Sequence, residues 1–257
     1  MPHNAVCGQR RDRTMGHWLT RAGQIEPCVY RPGVPSRYEI MIPTQKLTHD
    51  EVDELHAEGA RRSGWLFYKT DCPTCNSCTP LRIELSQFQR SKSQRRVWRT
   101  NEDVQVRVGE PKVCAERVEL YNKHLFRRGL NTNADGITLE SYSQWLVESG
   151  IGTLEFSYHD NQRLLGVGLV DVGSQDASSV YFYFDPDFSK RSLGVFSMLK
   201  EIEWLNAHQF RYHYLGFYNH GCKALRYKAA FGPHEILDSE QGELRWQRPI
   251  GDHNSSS

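Results

Sequence analysis

Residues 179–206, SVYFYFDPDFSKRSLGVFSMLKEIEWLN, contain a strand, a turn and a helix in immediate succession. Ser179–Phe184 is rich in aromatic side chains, the composition of a strand. Asp185-Pro186 ends it, because proline has no N–H to give to a ladder and restricts the residue before it. From Ser192 to Asn206, Val195, Leu199, Ile202 and Leu205 recur at helical spacing and mark a buried face. Two further strand candidates, Thr153–Tyr158 and Leu164–Asp171, lie upstream, and Arg211–Leu215 returns as a strand after the helix. The fold class predicted is therefore α+β, a mostly antiparallel sheet followed by a strand–turn–helix–strand crossover, with a ligand expected at the turn.

Upstream of the sheet, Lys112 to Arg128 is amphipathic, with Val118, Tyr121, Leu125 and Phe126 on one face and Gly129 as its stop. A second helix is expected from about Leu139 to Glu148. The first hundred residues read differently. Tyr38–Ile42 is a short strand between proline-rich turns, and Thr48-His-Asp-Glu51 is a capping box whose helix buries Val52 and Leu55 and ends near Gly59. Trp65–Tyr68 and Leu81–Leu85 read as strands on either side of a cysteine loop. These features predict a flexible start (1–24), a small cysteine-bearing unit (25–100), a second unit (101–247) and a disordered tail (248–257). The first ordered element is placed near Pro27.

The chain has 257 residues, enough for one large or two small domains, and 38% apolar content with 11% aromatics fits a globular protein. No apolar run approaches the roughly 18 residues that a membrane span needs. The basic residues at the N-terminus have no apolar segment behind them, so no secretory signal is read there. A cytoplasmic location is expected, and the seven cysteines are then reduced thiols or ligands rather than disulfides.

Cys72-x-x-Cys75-x-x-Cys78 has the spacing with which a tight loop points several thiolates inward, toward zinc or an iron–sulfur cluster. A fourth ligand is needed, and Cys28 beside its proline-rich turn is the expected one. The plainer alternative is three thiols on a loop, or a partly oxidised pair. Cys7, Cys114 and Cys222 read as ordinary thiols. The loop lies in a segment, 61–99, with nine Lys/Arg against two acids, while the rest of the chain carries a net charge of −6. Arg90, Lys92, Arg95, Arg96 and Arg99 crowd around Trp98, a pattern suited to phosphates and a stacked base. The alternative is a solvated helical face with Trp98 packed inward. A second anion site is expected where Arg191 and Ser192 precede the helix. That turn resembles the phosphate-binding turn of the N-acetyltransferase-like fold without its full glycine pattern, and Ser192 is equally a plain N-cap.

Several segments together resemble the aminoacyl-tRNA–protein transferases of the N-end rule, the arginyltransferase family with its bacterial leucyltransferase branch. In the first half they are Cys28-Val-Tyr-Arg-Pro-Gly33, Arg61-Arg-Ser-Gly64 with Tyr68-Lys69, the three-cysteine loop and Ser91-Lys-Ser-Gln-Arg-Arg-Val97. In the second they are Asp171, Phe184-Asp185-Pro186, Arg191-Ser-Leu-Gly194, Tyr214-Leu-Gly216, Gly221-Cys-Lys223, Tyr227-Lys228, Phe231 and Pro233. The resemblance runs from about residue 27 to 246. It implies a cysteine-bearing N-terminal domain, with Cys28 and the loop holding zinc or an iron–sulfur cluster, and an N-acetyltransferase-like C-terminal domain. It also implies transfer of leucine or arginine from charged tRNA to the α-amine of proteins beginning with Asp or Glu, which marks them for degradation. Leu215-Gly216-Phe217-Tyr218 departs from the Leu-Gly-Tyr-Trp of the bacterial branch, and Ala224 and Leu225 follow Lys223 where a Met is usual. The cysteine spacing is the bacterial one, so the donor amino acid stays open.

The chemistry asks little of the protein. An aminoacyl ester is already activated, and an α-amine with a pKa near 8 is partly neutral at pH 7. Holding the two together supplies much of the acceleration, with a general base and a proton for the departing ribose hydroxyl. Asp185, Tyr214 and Tyr218 are the candidates for proton handling, and each has a structural alternative as a turn cap or core tyrosine. The acceptor's carboxylate calls for a planar guanidinium, from Arg61, Arg62 or Arg191, with Lys228 in reserve. An arginyl donor would want an acidic pocket, where Asp171 would serve. No nucleotide or coenzyme A is expected. Two competing readings are an acyl-CoA-dependent N-acetyltransferase and a non-catalytic RNA-binding zinc module.

Overall fold

The computed structural model describes residues 14–15, 18–130, 136–240 and 243–249. Its first half contains strands β1 (Thr14–Met15), β2 (Trp18–Ala22), β3 (Glu26–Pro27), β4 (Pro35–Ser36) and β5 (Tyr38–Pro43). Helix α1 (His49–Ala57) and strands β6 (Arg61–Ser63), β7 (Leu66–Thr70) and β8 (Thr79–Glu84) follow. The second half runs through α2 (Lys92–Thr100), β9 (Gln105–Gly109), α3 (Ala115–Arg127), α4 (Leu139–Tyr142), β10 (Gly152–Asp160), β11 (Arg163–Val172) and β12 (Asp176–Phe184). It ends with α5 (Leu193–Ala207), β13 (Tyr212–Tyr218), α6 (Lys223–Arg226), β14 (His234–Glu240) and β15 (Glu243–Gln247).

A five-stranded sheet has the order β1-β2-β5-β7-β6, and an eight-stranded sheet the order β15-β14-β8-β13-β12-β11-β10-β9. Helix α5 covers one face of the large sheet. Its Leu193, Phe196, Leu199, Ile202 and Leu205 pack with Phe156, Tyr158, Leu165, Val170 and Ala177. On the other face Val118 and Leu120 of α3 and Tyr142 of α4 meet Leu164, Val167, Leu169 and Tyr183. Each fully buried aliphatic or aromatic side chain contributes roughly 1.5–3 kcal/mol. The small sheet closes over α1 through Met41, Leu47, Val52, Leu55 and Phe67. Thr48 caps α1, accepting from the Glu51 N–H while the Glu51 carboxylate accepts from the Thr48 N–H, as the capping box predicts.

The crossover is where the sheet changes character. Strand β12 pairs antiparallel with β11 along its whole length but parallel with β13 only at Asp176↔Tyr212, Ala177↔His213 and Ser178↔Tyr214. Beyond Ser178, β12 stays with β11 to Phe184 while β13 stays with β8 to Tyr218. The two parallel strands therefore part into a fork open at their carboxyl ends. Each arm carries an irregularity at the parting point. Val170 faces Ser179 and Leu169 faces Tyr181, so Val180 is an extra residue in β12, and on β13 the register slips between Tyr214 and Gly216. Such bulges bend a strand and sharpen its twist. This is the α+β arrangement, a largely antiparallel sheet with one parallel crossover, that the order of elements predicts.

Several elements depart from expectation. Strand β8 was expected inside the first unit, yet it lies between β14 and β13 in the large sheet, with Leu81 and Ile83 fully buried in the main core. Ordered strands begin well before Pro27, with Thr14–Met15 paired to Trp18–Ala22, and Trp18–Ala22 paired in turn to Tyr38–Pro43. Residues 1–13 and 250–257, the bulk of the expected flexible start and tail, lie outside the described residues. The segment Leu139–Glu148 is α-helical only to Tyr142 and continues as a π-type turn over Ser143–Val147. That wider turn lets the Trp145 carbonyl accept from the Gly64 N–H at 2.9 Å. Helix α5 is preceded by a 3₁₀ turn, Pro186–Arg191. Among the described residues no helix is long and apolar enough to cross a membrane.

Candidate active site

Arg61 enters the fork from β6. Its guanidinium donates to Ser178 Oγ at 2.6 Å, to the Ser179 carbonyl, and to the Val180 carbonyl at 3.5 Å. Consecutive carbonyls of a regular strand point to opposite edges; both reach one nitrogen here because the bulge turns them the same way. The opposite arm makes room through Gly216, whose φ of +85° and close approach to the Arg61 guanidinium (3.0 Å from a Cβ built there) admit no side chain. Three of five N–H donors are thus used, and none goes to a carboxylate among the described residues. Burial works against this cation and lowers its pKa from the ordinary arginine value.

Arg62 points the other way. Its Nε lies 2.8 Å from Asp171 Oδ2 and its Nη1 donates to the Gly64 carbonyl at 3.0 Å, with both charged side chains buried. Thr153 Oγ1 donates to the other Asp171 oxygen at 2.9 Å. Arg62 and Asp171, expected as an acceptor clamp and a donor pocket, therefore satisfy each other and tie β6 to the large sheet. They are not free for substrate.

Behind the fork lies a buried polar chain that the sequence reading did not anticipate. Ser179 Oγ is 2.8 Å from His213 Nε2 and 2.6 Å from Glu201 Oε2, while Ser197 Oγ donates to Glu201 Oε1 at 2.7 Å and Tyr158 OH to Ser197 Oγ at 3.1 Å. One proton arrangement serves every contact: His213 donates from Nε2 to Ser179, and Ser179 donates to an ionised Glu201. Burial raises the Glu201 carboxyl, but His213, Ser179 and Ser197 outweigh it and leave its pKa below the usual value. His213 Nδ1 has no hydrogen-bond partner among the described residues. The chain holds the bulged arm from behind.

Lys228 stands in the fork's floor, where Nζ donates to the Phe217 carbonyl at 2.9 Å. Its stem is partly exposed, but the amine is enclosed, and burial together with the Arg61 charge drops its pKa to about 7. A group that titrates near neutrality inside a cleft has the property of a general base. Tyr218, at the tip of the β13 arm, is partly exposed with its hydroxyl 3.4 Å from His220 Nδ1.

The other expected proton handlers are engaged elsewhere. Asp185 is buried and bound by Lys123 (2.6 Å), Arg163 (2.7 Å) and the Asp187 N–H (3.1 Å). Burial opposes its charge, yet these partners prevail and its pKa falls below the usual carboxylate value, which makes it a poor base. Tyr214 accepts from Arg82 at 3.2 Å and donates to Asp176 at 3.3 Å, on the face of the sheet that packs on Trp246. Its role is structural. Arg191 forms a bidentate pair with Asp103 at 2.9 and 2.8 Å. Ser192 has φ +55° and makes no side-chain cap to α5. Neither contributes to the fork.

In the basic stretch, Lys92, Arg95, Arg96 and Arg99 are exposed along α2. Arg90 is drawn back onto the protein, its guanidinium 3.5 Å from the centre of the Trp98 ring and 3.4 Å from Glu203. Lys200 also lies against that ring at 3.9 Å, and Trp98 packs on Phe196 at 5.8 Å. Trp98 is thus a packed residue rather than a base platform. Gln94 fastens the helix. Its Oε1 accepts from the Ser91 N–H at 2.8 Å, and its Nε2 donates to the Ala230 carbonyl at 3.0 Å, just beyond Lys228.

Cys28, Cys72, Cys75 and Cys78 line one small cavity of about 20 Å³ with Asn219. Asn219 Nδ2 donates to Cys78 Sγ at 3.5 Å, and Cys75 turns toward Ser77 (3.5 Å) and Arg31 (3.4 Å). Hydrogen bonds from Ser77, then Arg31, lower the Cys75 pKa against a small effect of burial. Among the described residues no group of three His, Cys, Asp or Glu side chains is gathered at ligand distances.

Comparison with known proteins gives a consistent result. Residues 26–96 match the family described as arginine-tRNA-protein transferase, N terminus, and residues 116–238 its C terminus. The chain is 31% identical to an aspartate/glutamate leucyltransferase of Stenotrophomonas maltophilia, over 92% of this chain and 95% of that one. It is 32% identical to one of Nitrosococcus oceani (85% and 92% covered) and 30% identical to one of Hahella chejuensis (82% and 90%). Among solved structures, FemX aligns at 8% identity over 78% of this chain and 79% of its own, with a TM-score of 0.42. L-PGS from Bacillus licheniformis aligns at 12% identity over 68% and 52%, with a TM-score of 0.41.

Removing one partner of a buried ion pair leaves the other uncompensated, at about 3–5 kcal/mol. Arg62→Ala is therefore expected to lower stability by that order in urea or thermal melts. A loss under about 1 kcal/mol would show that the pair does not join the two sheets.

Proposed function

Because the chain belongs to the arginine-tRNA-protein transferase family, we propose that it moves leucine from charged tRNA to the α-amine of proteins beginning with Asp or Glu. The observation that carries the choice of donor is the saturation of Asp171 by Arg62 and Thr153. An arginyl side chain would find that carboxylate already occupied, whereas leucine needs none. The relatives named aspartate/glutamate leucyltransferase support the same choice. Transfer would mark the acceptor for degradation.

Arg61 receives the acceptor's side-chain carboxylate on its two remaining N–H donors. The neutral α-amine then lies in the fork and attacks the ester carbonyl. The new C–N bond forms as the ester C–O bond breaks, the amine yields a proton to Lys228, and the ribose oxygen leaves as a hydroxyl once it takes a proton. Lys228 at a pKa of about 7 can accept the first proton and return it to the second position. Exposed Lys92, Arg95, Arg96 and Arg99 meet tRNA phosphates.

The cysteine cavity suits a metal on chemical grounds. Four thiols are the donor set of structural zinc, and the cavity they line has room for one small ion once the thiols, Cys75 among them, turn toward it. Cys28, Cys72, Cys75 and Cys78 would hold it, and bound metal would brace the loop; no reaction step passes through it. Protein prepared without chelator should carry about one zinc per chain, lost in Cys72→Ser together with thermal stability. Metal-free protein whose melting is indifferent to chelators would remove the metal, and visible thiolate-to-iron absorption would replace zinc with a cluster.

The donor experiment combines a peptide beginning with Asp with leucyl-tRNA or arginyl-tRNA, followed by mass spectrometry. Gain of leucine alone is expected. Arg61→Ala should raise KM for the peptide by about tenfold or more while leaving tRNA affinity unchanged; an unaltered peptide KM removes Arg61 from acceptor binding.

The working form of Lys228 is neutral, so kcat/KM should fall as pH drops through about 7. In Lys228→Met that limb should vanish, with a loss of roughly 10²–10⁴-fold, leaving only the limb of the acceptor amine near pH 8. In that variant stability should move opposite to activity. The folded pKa lies below the ordinary lysine value of 10.5, so charging the amine favours unfolding, increasingly from pH 10.5 down to about 7 and constantly below that. The Met variant should therefore melt higher at pH 6. A variant that is both less active and less stable would point to a packing role instead.

A further inference from the structure

The segment that leads out of the fork, Lys223-Ala-Leu-Arg-Tyr-Lys228, sorts its side chains sharply. Leu225 is buried with Cys222 and Phe217, whereas Lys223, Arg226 and Tyr227 are exposed. Tyr227 keeps 44% of its surface open. Partial burial, then the Glu201 charge, raises its pKa above the ordinary tyrosine value, while the Arg128 and Arg61 charges act the other way. Tyr227 thus stands directly beside Lys228, whose amine is bonded to the β13 arm of the fork, with part of its ring open to solvent. Arg128, exposed at the end of α3, stands near it.

We infer that Tyr227, flanked by Lys223, Arg226 and Arg128, is the stacking platform for the unpaired 3′ end of the donor tRNA. This rests on the transferase reading above and adds where the end of the RNA lies. The aminoacyl ester is borne by the terminal ribose, so the terminal base must sit beside whatever residues handle the ester. Tyr227 is the chain neighbour of Lys228 and within reach of Arg61, which meets that requirement. An open aromatic ring among cations is the surface that binds single-stranded nucleic acid, because every base has a face to stack and every linkage a phosphate to pair.

The basic helix supports the same placement. Gln94 of α2 is bonded to Ala230, three residues beyond Tyr227, so the exposed Lys92, Arg95, Arg96 and Arg99 belong to one rigid surface with the mouth of the fork. An RNA whose paired stem lies on α2 has its unpaired end delivered to Tyr227. Trp98, the aromatic first expected to stack, is occupied by Arg90 and Lys200. Tyr227 takes over that role.

The test compares binding of uncharged tRNA with binding of the same tRNA lacking its unpaired 3′ nucleotides. Wild-type protein should prefer the intact RNA. Tyr227→Ala should lose about tenfold in affinity for intact tRNA and nothing for the shortened one, and Tyr227→Phe should retain wild-type preference. An Ala variant that binds intact tRNA as tightly as wild type, or that loses equally on both RNAs, overturns the assignment. Wild-type protein that binds intact and shortened tRNA equally also overturns it. If the wild-type protein binds neither RNA, the transferase reading itself fails.

Discussion

Two parallel strands that share three register positions and then separate leave main-chain carbonyls facing a gap, and the guanidinium of Arg61 is what fills it. A buried carbonyl without a partner is costly, and the alternative of closing the gap would abolish the cleft. Arg61 resolves the conflict by taking Ser178 Oγ and the Ser179 and Val180 carbonyls from one arm. Gly216 on the other arm permits the approach. The bulge in β12 presents the two carbonyls together, and the Glu201–Ser179–His213 chain prevents the bulge from relaxing toward α5. Among the described residues the cation's hydrogen-bond partners are all dipoles, so the cleft is held open by a charge that a carboxylate would complement.

The neighbouring arginine shows how one strand performs two tasks. Successive side chains of a strand point to opposite faces. Arg62 turns into the protein and meets Asp171, and Arg61 turns into the cleft and is bonded to no acid among the described residues. The first fastens the small sheet to the large one, so the second can be placed accurately. A site built from two sheets needs such a fastener, because error in their relative position would appear directly in the fork.

The legible parts of this structure were those governed by local rules. Helix α5, the strands before it and the capping box at Thr48 follow from periodicity and cap chemistry, and the crossover follows from their order. Three kinds of feature were not legible. Strand β8 joins the large sheet because the segment after the cysteine loop pairs with β13 and β14, a long-range choice with no local signature. Asp185, Asp171 and Arg191 looked available because each is a charged residue in a motif, and only their partners, tens of residues away, reveal that they are taken. Lys228 was visible only as a cation, since its depressed pKa arises from enclosure and from Arg61, which lies 167 positions earlier in the chain. Trp98 was ambiguous for the same reason. A basic helix with one aromatic reads equally as a nucleic-acid face or as a packed helix, and here the cations are exposed while the ring is packed.

The cysteine loop and the fork are mechanically one object. Asn219 follows directly on β13, donates to Cys78 and accepts from the Gly221 N–H, so it ties the loop of the first half to the turn that begins the Cys222–Lys228 segment. That segment carries the amine of Lys228 against the Phe217 carbonyl and the ring of Tyr227 at the mouth. A reaction between an activated ester and an amine depends chiefly on how well the two are held, and a misplacement of about 1 Å can cost on the order of 100-fold. Bracing the cysteine loop therefore acts on the reaction through position alone. The thiols need no contact with the fork to act on it, because the turn they steady is the one that carries Lys228 and Tyr227.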